Sequence, residues 1–158
     1  MVTTTAADPH SGPPLSDAEL LRGFESCALP PGRFHHAEHV RVVWIYLSLE
    51  SVLGTLERFP AALRRYAESL GIPELYHETI TWALVLLIEE RRQRGGELSW
   101  EEFASANEDL LSWPDVLDRY YRPGTLARPE AKRIFLLPDR LETPAPDPAG
   151  GRLAGGSG

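Results

Sequence analysis

Tyr76-His77-Glu78-Thr79-Ile80-Thr81 runs directly into Trp82-Ala83-Leu84-Val85-Leu86-Leu87-Ile88. Nothing charged stands between Thr79 and Ile88. A helix that is apolar on every side is a buried one. The stretch therefore predicts the central helix of a bundle. Its opening turn carries His, Glu and Thr, and buried ionisable groups are costly unless paired or ligated. One end of the bundle should therefore hold a polar site.

Working outward, Gly71 ends the preceding helix and Pro73 suits the first turn of the next. That preceding helix should run over 51–70, with Leu53, Leu56, Phe59, Leu63, Tyr66 and Leu70 as its apolar face. Pro60 should kink it or split it. Before it, His36, His39, Val40, Val43 and Leu47 fall at helical spacing, so this helix carries two histidines on its core-facing stripe. Leu29-Pro30-Pro31-Gly32 separates it from a first short helix. That first helix opens on the capping box Ser16-Asp17-Ala18-Glu19, with Leu15 and Leu20 placed for a hydrophobic staple.

Downstream, a basic turn at Arg91, Arg92 and Arg94 precedes Gly95-Gly96 and reads as a solvated helix end. Ser99-Trp100-Glu101-Glu102 is a second capping box. Ser112 should start a further helix carrying Val116, Leu117, Tyr120 and Tyr121, and 127–135 a last one. Pro138-Asp139-Arg140 is placed to clamp the chain end onto the bundle. No strand-like alternation and no internal repeat stand out. The expected fold is all-α: an irregular bundle of five to seven helices, a single domain over 16–142. A disordered leader over 1–15 and a Pro/Ala/Gly tail over 143–158 should flank it.

Composition narrows the function. The chain has 158 residues, of which 42% are apolar and 25% charged, ordinary values for a globular protein. A net charge of −7 gives no basic footprint for nucleic acid. Of the 16 basic residues only Lys132 is a lysine. The lone Cys27 excludes an internal disulfide and a multi-cysteine zinc site, and fits a reducing cytoplasm. The first residues lack a signal-peptide pattern, and the longest apolar run is too short to span a bilayer.

Four of the five histidines form two clusters, His35, His36 and His39, then His77, each at a helix start. Short connections between successive helices bring the two starts to the same end of the bundle. Helix N-termini disfavour imidazolium, so the rings should be neutral and able to ligate, and they also attract anions.

His35-His36-Ala37-Glu38-His39 matches the H-x-x-E-H pattern of inverted zinc peptidases, and His77-Glu78-Thr79-Ile80-Thr81 falls one residue short of H-E-x-x-H. Neither match extends further along the chain. A mononuclear zinc or iron site built from His36, His39 and His77, with Glu78 or His35 as a further ligand, is the leading expectation. The metal would activate water or dioxygen on a small-molecule substrate. Glu78, its pKa raised by burial, and His77 are the catalytic candidates. Tyr76, Thr79 and Thr81 are pocket candidates, although helical spacing also fits Tyr76, Tyr120 and Tyr121 as core. Trp44, Trp82, Trp100 and Trp113 read as packing. Two other classes compete with the metalloenzyme. One is a non-catalytic binding protein for an anionic or polar small molecule. The other is a metal-free acid–base enzyme using His77 and Glu78.

Taken together, Phe34-His35-His36 with His39-Val40-Arg41 and Trp44-Ile45-Tyr46-Leu47, Tyr76-His77-Glu78-Thr79-Ile80-Thr81, and Phe135-Leu136-Leu137-Pro138-Asp139 resemble a bacterial family of small helical proteins with no assigned activity. The resemblance covers roughly 24–141. It implies that these stretches belong together and lends no catalytic residues.

Overall fold

In the computed structural model, residues 13–112 and 115–140 are described. The expected leader up to residue 12, the expected tail, His10 and Trp113 lie outside them. Among the described residues there are seven α-helices and no strand: α1 (Asp17–Glu25), α2 (His36–Leu49), α3 (Val52–Ser69), α4 (Glu78–Gly95), α5 (Trp100–Ala106), α6 (Glu108–Leu111) and α7 (Pro129–Arg133). Short 3-10 turns stand at Pro31–Arg33, Pro73–Leu75 and Asp115–Arg119. The expected all-α bundle is the fold.

The helix starts follow from local chemistry. Ser16 and Glu19 close the predicted capping box of α1, and Ser99 and Glu102 that of α5. Ser51 caps α3 by accepting from the Gly54 N–H at 3.2 Å. Only residues 50 and 51 separate α2 from α3, so these two fold back on each other. Gly71 supplies the positive φ of 71° that ends α3, and Gly96 one of 75° after α4.

α4 packs against α2, α3 and α7. Its Val85 and Ile88 join Phe24, Val40, Val43, Tyr46 and Phe59 in a fully buried core. Each such side chain contributes about 1.5–3 kcal/mol by leaving water. No helix among the described residues is long and apolar enough to cross a membrane.

Several expectations are corrected. α3 is not split at Pro60, whose residue is itself buried. A proline removes one backbone donor and crowds the preceding turn, and burial of the flanking Phe59 and Ala62 offsets that. Leu53, expected inward, is 75% exposed because the buried stripe of α3 runs through Thr55, Phe59, Ala62 and Tyr66, and Leu53 stands away from it on the helix. α4 is not buried all round, as Leu86 is 40% exposed. The last helix is α7 alone, since the chain turns extended at Ile134. Val116 and Leu117 lie on a 3-10 turn, not an α-helix. Arg91 is not a solvated helix end: it pairs with Asp109 at 2.9 Å and donates to the Asn107 side chain at 3.0 Å. Arg92 donates to the Leu47 carbonyl at 2.8 Å.

The segment at Asp139 and Arg140 is clamped onto the bundle as the sequence implied. The Asp139 carboxylate accepts from the Arg122 N–H at 2.8 Å and the Thr125 hydroxyl at 2.6 Å. Those bonds hold its pKa below the usual carboxylate range. Arg140 donates to the Asp118 carbonyl, and its N–H to the Tyr120 carbonyl at 3.0 Å.

Candidate functional site

Both histidine-bearing helices start by the same route. Pro31–Arg33 forms a 3-10 turn, Phe34 follows, and His35 caps α2. Pro73–Leu75 forms another, Tyr76 follows, and His77 caps α4. Proline at the first position presets φ for such a turn. This shared Pro-x-x-aromatic-His pattern is a local repeat of only five residues, too short to stand out as an internal repeat of the chain.

The two starts line one partly open cavity of about 580 Å³, within the size range for small-molecule pockets. His35, His36, His39 and His77 all line it, with Tyr76 and Thr81. Residues of both helix starts thus line one cavity. Apart from Lys132, the remaining wall is aromatic and aliphatic, including Phe34, Phe59, Leu63, Tyr66, Ile80 and Leu84. Glu78 and Thr79 do not line it.

At the start of α4 the polar groups are engaged in holding structure. The buried His77 ring accepts the Ile80 N–H at Nδ1 (3.3 Å) and donates from Nε2 to the Leu126 carbonyl (2.9 Å). Nδ1 as acceptor leaves the proton on Nε2, so both nitrogens of a neutral ring are engaged. Thr79, fully buried, has its hydroxyl within 2.8 Å of both the Ala131 and the Ile134 carbonyl, and it accepts the Leu136 N–H at 3.1 Å. It thereby ties α7 and the segment after it to α4. The Thr81 hydroxyl donates to the His77 carbonyl one turn back at 2.8 Å.

The Glu78 carboxylate pairs with Arg64 and accepts the Tyr76 hydroxyl at 2.7 Å. The Arg64 guanidinium also lies 4.4 Å from the centre of the Tyr76 ring. Burial, then the bond to Glu78, raises the Tyr76 pKa well above its ordinary value. Tyr76 is thus a neutral donor fixed at the cavity wall.

At the start of α2 the arrangement differs. The Glu38 carboxylate accepts the His35 N–H at 2.8 Å, so the glutamate of the H-x-x-E-H pattern closes a helix start. The His35 ring donates from Nε2 to the Gly32 carbonyl at 3.1 Å. The His36 ring donates from Nε2 to the Leu110 carbonyl at 2.7 Å. Burial lowers the His36 pKa, against an upward pull from that carbonyl.

His39 stacks on Phe34 at 4.2 Å between ring centres, and Phe34 in turn stacks on Phe24 at 4.9 Å. Among the described residues neither nitrogen of the His39 ring has a hydrogen-bond partner. Burial, reinforced by His36 and His35 beside it, pushes its pKa down to about 4. His39 is therefore a neutral ring held flat by aromatic stacking, with one donor and one acceptor available to a molecule in the cavity.

Among the described residues no group of three or more His, Cys, Asp or Glu side chains is arranged to hold a metal ion. Three of the four cavity histidines are turned to carbonyl oxygens instead. Sequence reasoning also missed Lys132, which lines the cavity from α7. Its one signal was its status as the chain's single lysine. No family model matches the chain, and neither does any curated protein or solved structure at a significant level. The site is read from its geometry alone.

Proposed function

We propose that this is a small-molecule-binding protein. Its ligand is apolar over most of its surface, occupies the cavity between the starts of α2 and α4, and presents a hydrogen-bonding group to His39. The observation that carries this reading is a mostly apolar cavity of about 580 Å³ lined by a neutral histidine ring that lacks a hydrogen-bond partner among the described residues. A few polar groups on an apolar wall are the usual makeup of small-molecule sites. A cytoplasmic setting, suggested by the lone Cys27, belongs to the same proposal.

Thermal stabilisation by a library of small apolar alcohols, phenols and acids tests it. Hits should raise the melting temperature of the native chain. They should lose that effect in Ala67→Trp, which fills the cavity wall, and in His39→Phe, which keeps the stacking and removes the polar atoms. Hits that survive both substitutions would place binding elsewhere.

The second reading is a metal-dependent enzyme, favoured by the four histidines on one cavity wall. It requires His35, His36 or His77 to leave its carbonyl partner and join His39 on zinc or iron. Elemental analysis of untagged protein decides it. Substoichiometric metal, with none regained on adding zinc or iron(II), removes this reading.

A further inference from the structure

Among the described residues lining the cavity, Lys132 is the only Lys, Arg, Asp or Glu. It is exposed, on α7, and its Nζ donates to the Glu74 carbonyl of the Pro73–Leu75 turn at 3.0 Å. That bond holds the ammonium beside the exposed Leu75, which also lines the cavity, and so marks the mouth. An ammonium has three donors, so two remain. Among the described residues Lys132 forms no ion pair, while every ion pair present there uses an arginine. The cavity thus has a cation at its mouth, an apolar middle and an uncharged polar ring at His39.

We infer that the ligand is an elongated apolar acid. Its carboxylate sits on Lys132 at the mouth, its body lies among Leu63, Leu70, Ile72 and Ile80, and a hydroxyl or carbonyl further in meets His39. This rests on the cavity being the ligand site. A lone ammonium matches a single negative charge, whereas phosphate recognition favours the guanidinium fork that this wall lacks. A carboxylate at the exposed mouth also keeps part of its hydration, so the desolvation that weakens buried ion pairs is largely avoided.

Calorimetric titration of the full chain at neutral pH tests the inference. The probes are ω-hydroxy acids of six to twelve carbons, the matched unsubstituted acids and the matched diols. The best hydroxy acid should bind about fivefold more tightly than its diol at low salt. That advantage should shrink in high salt and vanish in Lys132→Gln, an exposed substitution whose folding circular dichroism verifies. The hydroxy acid should also outbind the unsubstituted acid, and His39→Phe should erase that difference.

A diol that binds as well as its acid, or an acid preference that survives Lys132→Gln, overturns the inference and leaves the cavity reading standing. Failure of all three series to bind at any length overturns both.

Discussion

At Pro31 and again at Pro73 the chain makes the same sequence of moves: a 3-10 turn, an aromatic residue, a capping histidine, then a helix. The outcomes diverge four residues after the cap. In α4 that position is Thr81, whose short hydroxyl reaches back to the His77 carbonyl at 2.8 Å. In α2 it is His39, whose ring stacks on Phe34 and lines the cavity without a hydrogen-bond partner among the described residues. Thr, Asn and Ser side chains satisfy themselves on nearby backbone; an imidazole at the same place is left to find a partner elsewhere. A histidine-rich helix start can therefore tie structure down or leave a ring lining a cavity. The reach of the side chain at the fourth position decides which.

The contrast can be broken most forcefully at α4. Thr79→Val keeps the shape and removes the hydroxyl that meets Ala131, Ile134 and Leu136. Leaving such buried groups unpaired should cost about 3–4 kcal/mol, read as a drop in urea midpoint. A loss below about 1 kcal/mol would mean that α7 is not tied to α4 through this residue.

The next effect belongs to α2 and depends on pH. The folded-state pKa of His39, about 4, lies below the ordinary 6.5. On acidification the unfolded chain binds this proton first. The stabilising contribution is therefore complete above about pH 6.5 and is lost as the pH falls toward 4. The loss should reach roughly 2–3 kcal/mol, with part of the ring's exposure reducing it. His36, also lowered, adds in the same direction. Denaturation of His39→Phe should be flatter across this range, retaining only the share of the other histidines. An unchanged slope would show that His39 is solvated.

A smaller effect separates cap from tie in His77. His77→Asn retains an acceptor for the α4 start and drops the bond to Leu126, at a cost of about 1 kcal/mol. The smallest effect is expected at Arg64→Gln. The arginine side chain is 46% exposed, so loss of its pair with Glu78 should cost under about 1 kcal/mol in a chemical melt.

Much of this was legible in the residues. The uncharged run after Thr79 gives the central helix, and the Ser-x-x-Glu boxes give the starts of α1 and α5. Helix order alone brings His39 and His77 to one end. The partners of the rings were not legible. Leu110, Leu126, Ala131 and Ile134 act through backbone carbonyls, which every residue type possesses. No spacing rule marks which carbonyl faces a distant side chain. For the same reason a metal set was the natural expectation for four converging histidines. Lys132 lies over fifty residues from His77, on a helix of five residues too short for periodicity to reveal its face.

The sharpest test follows the imidazole nitrogens of the folded chain by 15N NMR from pH 7.5 to 4.5, with and without the ω-hydroxy acid. The ring proton of His77 should sit on Nε2. His39 should stay neutral down to about pH 5, and the added acid should shift the His39 nitrogens and not those of His77. A His39 that titrates near 6.5, or a His77 that alone responds to the added molecule, would contradict this reading.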